Sequence, residues 1–237
     1  MNDLDLILEE AATRIATQLS SPQILPKLLV AVKQENTDTS RIVELISFDP
    51  GLTARVMQLS NSAFLGGSSP VTDMSEAVNR IGLQNIYLIV AVASGRLVVC
   101  PRSPVPGLDA GRLWKNSVTT ALAAQMMAED QGDDASVVFT AGLLHHVGLM
   151  LMAEAFGDPY AHFFAQHADN PEARADEERA QFGVDAAEAG ARLLMCWNFP
   201  EPLVAAVAFH LRPNEAGDAQ RTAALVHIAD LIARLLE

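Results

Sequence analysis

The sequence feature that most constrains the fold is an apolar run from Val137 to Phe156, in which His145 and His146 stand side by side near the middle. A helix that is apolar on nearly every side is either the central helix of an all-α core or a membrane span. Two adjacent imidazoles argue against the span, because polar groups are costly in hydrocarbon. The run therefore predicts a buried core helix.

This predicted helix extends from about Asp134 to Ala155, and Leu144 and Leu149 are expected to be almost wholly buried. Adjacent helical residues diverge by about 100° around the axis, so His145 and His146 should face different neighbours. Ligation of one ion by both would then need an unusual geometry. His145 has two interpretations: a core imidazole hydrogen-bonded to a backbone carbonyl or to Asp230, or a metal ligand.

Composition limits the classes of function that the chain can have. Half of the 237 residues are hydrophobic and the formal net charge is −13, which disfavours binding to the phosphate backbone of nucleic acids. Cys100 and Cys196 form no motif, as in a reducing compartment. The first ten residues lack the basic start of a signal peptide, so we expect a cytoplasmic protein without a membrane segment.

Helix signals recur along the whole chain, and they predict an all-α fold. Asp49-Pro50 has the form of a helix start, with a capping carboxylate followed by proline at the first helical position. Asp73 and Glu76 have the spacing of a capping box. The sequence lacks the alternating apolar and polar runs, joined by hairpin turns, that indicate strands.

A proline-rich stretch at residues 101–108 predicts a linker between two helical lobes. The N-terminal lobe would cover residues 1–100 and the C-terminal lobe residues 109–237.

Nine blocks, taken together in order and spacing, resemble the HDOD domains, a non-catalytic branch of the HD phosphohydrolase superfamily. The blocks cover roughly residues 20–235 and are Asp49–Thr53, Leu59–Phe64, Ser75–Gly82, Leu113–Ser117, Ala141–Gly148, Glu178–Gly183, Gly190–Pro200, Phe209–Pro213 and His227–Asp230. The resemblance implies that the C-terminal lobe is an HD-like helical bundle.

The resemblance also locates a degenerate version of the HD site. In metal-dependent HD enzymes a His, an adjacent His-Asp pair and a distal Asp hold the metal. The matching positions here are Asn116, His145-His146 and Asp230, so the first His and the Asp of the pair are both replaced. Relatives also often carry a His near position 186 and a His-His pair at 210–211, where this chain has Ala186 and His210-Leu211.

We therefore expect no catalytic residues, no bound metal and no cofactor at these positions. His210 and His227 are candidates for a neighbouring polar cluster around His145. Asn61 is expected to satisfy free carbonyls after a helix, with a binding role as the alternative.

The leading functional hypothesis is a non-enzymatic regulatory module of bacterial signalling that binds another protein. By analogy with the family, the partner would be a receiver, a kinase or a cyclic-di-nucleotide enzyme. Two alternatives remain open. One is a metal-dependent phosphohydrolase using His145, His146 and Asp230; the other is a nucleotide or small-ligand sensor, with a basic patch at Arg80, Arg96 and Arg102.

Overall fold

The computed structural model describes residues 3–18, 24–34, 39–61, 71–100, 105–167 and 170–236. These residues contain helices and no strand, which confirms the all-α prediction. The helices are α1 Asp3–Gln18, α2 Ile24–Val32, α3 Thr39–Ser47, α4 Pro50–Ser60, α5 Met74–Ile81, α6 Leu83–Val99, α7 Ala110–Gln131, α8 Ala135–Leu144, α9 Val147–Phe156, α10 Asp158–His167, α11 Pro171–Phe182, α12 Ala186–Cys196, α13 Glu201–Phe209 and α14 Gln220–Leu235. Two 3-10 turns, Pro213–Glu215 and Gly217–Ala219, lie between α13 and α14.

The helix starts follow local capping chemistry. The Asp49 carboxylate accepts hydrogen bonds from the backbone N–H groups of Gly51 and Leu52, at 2.8 and 3.1 Å. The Asp73 carboxylate accepts from the N–H of Glu76 at 2.8 Å. Both predicted caps are confirmed, because a side-chain oxygen satisfies N–H groups that have no partner within the helix.

Contacts between residues divide the chain into a smaller unit, residues 20–95, and a larger unit, residues 1–19 and 96–237. Helix α1 differs from the expected grouping, because it belongs to the larger unit rather than to the N-terminal lobe. The buried face of α1, with Leu8, Ala11 and Ile15, explains this grouping, since α1 packs on α9. Of the expected linker, residues 101–104 lie outside the described part of the chain.

The smaller unit is built by helices α2 to α5 and most of α6, with Ile42 and Ile46 of α3 in its core. Asn61 follows α4 and joins two backbone segments. Its amide donates to the carbonyls of Met57 and Val71, both at 3.1 Å, and its oxygen accepts from the N–H of Val71 at 2.7 Å. These bonds fit the structural interpretation of Asn61. Residues Ser62 to Phe64 of the same block lie outside the described residues.

The larger unit is organised around α8 and α9. The segment Ala135–Phe156 is long and apolar enough to cross a membrane, with a mean hydropathy of 1.6 in its most apolar window. However, 89% of that window is buried inside the protein. A second candidate, the pair α5 and α6, is bent by 110°. Leu144 and Leu149 are buried as predicted.

Helix α11 begins within a polar stretch of the sequence. Residues 167–176 are mostly polar, and the structure has a helix from Pro171 onwards. The Asn170 side chain accepts from the N–H of Ala173 at 3.1 Å, and Pro171 fills the first helical position. A cap and an N-terminal proline start the helix there, despite its polar composition.

Candidate functional site

The prediction of one continuous histidine helix is wrong, because the helix breaks at the histidine pair. Helix α8 ends at Leu144 and α9 begins at Val147. The ring of His145 folds back on α8, and its Nδ1 lies 2.6 Å from the carbonyl oxygen of Gly142. This ring satisfies a carbonyl at the end of α8, which lets the chain turn before α9 begins.

Two glycines on either side of the break allow neighbouring helices to approach closely. A Cβ on Gly148 would lie 1.7 Å from the carbonyl oxygen of Ala186 at the start of α12. A Cβ on Gly142 would lie 3.0 Å from the Cα of Ala121 in α7. The backbone at Gly142 is therefore in close contact with α7, and the backbone at Gly148 with α12. These two contacts position the histidine pair between α7 and α12.

The hydrogen bond of His145 fixes the direction of its other nitrogen. A carbonyl oxygen only accepts, so Nδ1 is the donor and Nε2 is left for other partners. That Nε2 lies 3.6 Å from Oδ1 of Asp230 in α14. Neither atom has a hydrogen-bonding partner among the residues that the structure describes. The two side chains are 0% and 3% exposed.

His146 lies in the same cluster as His145, contrary to the expectation from helical geometry. The two ring centroids are 3.7 Å apart, and Nδ1 of His146 lies 3.4 Å from the hydroxyl of Ser117 in α7. One donor atom from each of His145, His146 and Asp230 lies within 4.8 Å of the others. The expected divergence of 100° does not apply, because the helix is interrupted between the two residues.

The electrostatics of the cluster favour a neutral His146 and an ionised Asp230. Burial lowers the pKa of His146 well below its usual range, and the neighbouring His145 lowers it further. For Asp230, burial alone would raise the pKa, but the interactions with His145 and with Arg234 outweigh burial and hold this pKa far below its usual range. Arg234 forms an ion pair with Asp230, in which one guanidinium nitrogen lies 3.1 Å from Oδ2.

His210 joins the cluster from the end of α13. Its ring meets that of His145 edge-on, with centroids 5.2 Å apart, and its Nδ1 donates to the carbonyl of Val207 at 2.7 Å. Burial lowers the pKa of His210 to about 4, and His145 adds to this effect. His227 lies in α14, one turn before Asp230, with a buried Nδ1 that has no partner among the described residues.

Asn116 is buried in α7, one residue before Ser117. The hydroxyl of Thr120 approaches its side-chain oxygen at 3.5 Å. Asn116 thus precedes the residue whose hydroxyl contacts His146. An amide at this position supplies no imidazole lone pair.

A buried network beside the cluster was missed by the sequence analysis. The carboxylate of Glu178 accepts from the hydroxyl of Tyr160 and from the N–H of Ala186, both at 2.8 Å, and it lies 3.3 Å from Arg174. Asp185 caps α12 through the N–H of Glu188 at 2.7 Å. No single local motif signals this network, because its members come from three successive helices, α10 to α12.

The donor atoms fit one divalent cation. His145 and Asp230 present buried atoms without partners towards each other, and His146 adds a third donor. A metal held there by these three residues would supply a Lewis acid. We expected no metal partly because the Asp of the pair is replaced at position 146. In the structure, His146 contributes a donor nitrogen to the cluster instead.

The all-α fold and the His-His-Asp cluster define a class of protein, the HD-like helical domains. Within that class, residues 19–213 match the HDOD domain family, and the chain belongs to this family.

Three proteins illustrate the similarity. A candidate phosphohydrolase of Shewanella amazonensis SB2B, solved by crystallography, is 31% identical with a TM-score of 0.71, over 94% of this chain and 80% of that one. The MmoQ response regulator of Methylococcus capsulatus is 25% identical with a TM-score of 0.50, over 91% of this chain and 85% of that one. An uncharacterised protein of Treponema pallidum is 29% identical over 95% of this chain. The chain spans 45% of the length of that protein.

Proposed function

We propose that this chain is a non-enzymatic regulatory module that acts in signalling by binding another protein. Membership of the HDOD family and the similarity to a response regulator support this proposal. The observation that carries it is the burial of His145 and Asp230, two of the three clustered donors; the third, His146, is half-buried. The side chains of His145 and Asp230 are 0% and 3% exposed, whereas a catalytic metal keeps a coordination position open to water and substrate.

The residue replacements support the same conclusion. Phosphoester hydrolysis by a metal needs charge on the protein ligands and a bound water that can reach the substrate. Among the described residues this cluster has Asp230 as its one carboxylate ligand candidate, and by the family resemblance Asn116 takes the place of the first imidazole of the enzymes.

A surface suited to a protein partner lies on the outward face of α14. Ile228, Leu231, Ile232 and Leu235 are exposed there, and Leu235 is 87% exposed. Their spacing of i, i+3, i+4 and i+7 forms one apolar stripe on a helix, the pattern by which helices dock into grooves of partners. The partner class that the family suggests is a receiver, a kinase or a cyclic-di-nucleotide enzyme.

The second candidate is a phosphohydrolase with an altered metal site. The three clustered donors and the description of the Shewanella relative favour it. The two functions separate in one assay, hydrolysis of bis-p-nitrophenyl phosphate with added Mn²⁺, Fe²⁺ or Zn²⁺. We expect no hydrolysis above background by the wild-type protein. Hydrolysis that a chelator and the His145→Ala variant both abolish would refute the non-enzymatic proposal.

Variants that restore the enzyme-like residues sharpen the test. His146→Asp alone is expected to give no hydrolysis, because Asn116 still supplies no imidazole. In this chain the new carboxylate would lie beside Asp230, and like charges at close range are unfavourable. The double variant Asn116→His/His146→Asp is the matched comparison. If the double variant hydrolyses the substrate and the wild type does not, the fold still holds these positions in the geometry of the enzymes, and only the residue types have changed.

A further inference from the structure

A groove lies between α1 and α12 in the larger unit. Both helices pack on α9, and each contacts α9 more extensively than the two contact each other. The buried residues that line the groove are all apolar: Leu8, Ala12, Leu151 and Leu193. The groove has a volume of about 250 Å³. Sites for drug-sized ligands usually measure about 300–1,000 Å³, so this groove suits a few side chains of a partner better than a whole small molecule.

The rim of the groove carries an exposed methionine from α12 and a carboxylate from α1. Met195 is 64% exposed although it is a large apolar side chain. Methionine is flexible and fills irregular gaps, and it is over-used at surfaces that bind helices of partners. Glu9 is exposed and forms no ion pair within the part of the chain that the structure describes. Both residues are therefore available to a partner.

The charge at this rim is negative. Arg192, the cation among the described lining residues, is contacted by Asp5 and by Glu188, each at 2.8 Å. Two carboxylates around one guanidinium leave one negative charge in surplus, and Glu9 adds another. The charge of Glu9 also acts on α12: burial raises the pKa of the Cys196 thiol, and Glu9 raises it further. The groove thus combines an apolar floor with an acidic rim.

The recurring modes of peptide recognition can be compared with this surface. Strand addition needs the edge of a sheet, and the described residues contain no strand. A polyproline segment needs an aromatic-lined groove, and the described lining residues include no aromatic. A phosphorylated or acidic segment needs an arginine cluster, whereas Arg192 is already paired with two carboxylates. An amphipathic helix in an apolar groove is the mode that fits.

Charge complementarity determines the polar face of such a helix, because complementary charge steers a partner and like charge excludes one. A second copy of this chain, with a formal net charge of −13, would add like charge to an acidic rim. We propose that the groove between α1 and α12 binds an amphipathic helical segment of a partner protein, with apolar side chains against the floor and lysine or arginine beside Glu9. This inference rests on the proposed function, protein binding, and names the chemistry of a partner segment.

Fluorescence anisotropy with three labelled peptides of about 16 residues tests the proposal, since shorter helices are marginal in water. The first peptide consists of leucine, alanine and lysine, with leucine at i, i+3, i+4 and i+7 on one face. The second has the same composition in scrambled order, and the third has glutamate in place of lysine. At an ionic strength of about 0.15 M, we expect the first peptide to bind at least about tenfold tighter than either of the others.

Two exposed residues supply the test variants. Glu9→Lys reverses a charge at the rim and should weaken binding of the first peptide by about tenfold. Glu10→Lys makes the same change on the same helix outside the groove lining, and screening should limit its effect to about twofold. Met195→Gln removes an apolar contact without changing charge and should weaken binding by about fivefold. Met126→Gln is its control, since Met126 lies on α7 and is 70% exposed; it should bind as the wild type does.

Three results would overturn the proposal. The first is equal binding of the amphipathic and scrambled basic peptides, which would show attraction to the acidic chain alone. The second is an equal effect of each test variant and its control. The third is loss of binding in Leu235→Gln with Met195→Gln unaffected, which would place the peptide on the apolar stripe of α14.

The proposed function is tested by a separate readout, the hydrolysis of bis-p-nitrophenyl phosphate. A protein that neither binds the first peptide nor hydrolyses the ester refutes the groove proposal and leaves the non-enzymatic function standing. A protein that binds the peptide through Glu9 and Met195 and also hydrolyses the ester supports the groove proposal and refutes the non-enzymatic function.

Discussion

Replacing Gly148 with alanine tests how the histidine pair is positioned. An added Cβ would lie 1.7 Å from the carbonyl oxygen of Ala186 and 2.6 Å from the backbone nitrogen of Gly190. Both are backbone atoms of the segment that begins α12, so no side-chain rotation relieves the contact. Real Cβ atoms essentially never approach within 3.0 Å, so α9 and α12 would have to separate by about 1.3 Å.

The free energy follows from the packing that this separation loosens. A buried leucine-sized side chain makes about 50 contacts of about 0.15 kcal/mol each, and a gap of 0.5–1 Å loses roughly a quarter to a half of that attraction. Loosening one such set of contacts thus lowers the free energy of unfolding by about 2–4 kcal/mol. That is a large part of the about 5–15 kcal/mol by which a domain is stable.

Denaturant titration followed by tryptophan fluorescence measures this loss, because Trp197 is buried at the end of α12. Gly111→Ala is the matched control, since its Cβ would meet only the side chain of Asp109, at 3.2 Å. Alanine favours helix, so this control should change stability by no more than about 1 kcal/mol. If Gly148→Ala unfolds at the same denaturant concentration as the wild type, the close approach of α9 and α12 is not as described.

Three further predictions concern stability. Asp49→Ala should lower the free energy of unfolding by about 0.5–2 kcal/mol through loss of the cap, seen as a lower denaturant midpoint with an unchanged slope; an unchanged midpoint would contradict the capping role. Leu144→Ala should cost about 2–5 kcal/mol in the same titration, because Leu144 is fully buried, and a cost below 1 kcal/mol would contradict its place in the core. With chelator present, stability should fall as the pH decreases from about 6.5 to about 4: the pKa of His210 is about 4 in the folded protein, so over this range the unfolded chain binds a proton that the folded one does not. The loss of unfolding free energy approaches about 3 kcal/mol. His210→Asn, whose amide can still donate to Val207, should reduce this pH dependence relative to the wild type. The same pH dependence in both proteins would refute the low pKa of His210.

The local structure of this protein is largely determined by its sequence. Asp49 and Asp73 cap helices because the carboxylate and the N–H groups that it satisfies lie two or three residues apart. The apolar run around Leu144 is buried because nothing else can cover so many apolar side chains. The all-α class and the family resemblance follow from such signals. The sequence also singled out His145, His146 and Asp230, whose donor atoms lie within 4.8 Å of one another.

The arrangement of the site is decided by tertiary structure alone. An intact helix would separate His145 and His146, and the break that joins them depends on a ring bound to Gly142 and on Gly148 pressed against α12. Asp230 comes within 3.6 Å of His145 although 85 positions separate them in sequence. Local sequence patterns indicate which side chains prefer burial. They do not indicate which buried side chains come into contact, because those contacts depend on how the helices pack in the whole fold.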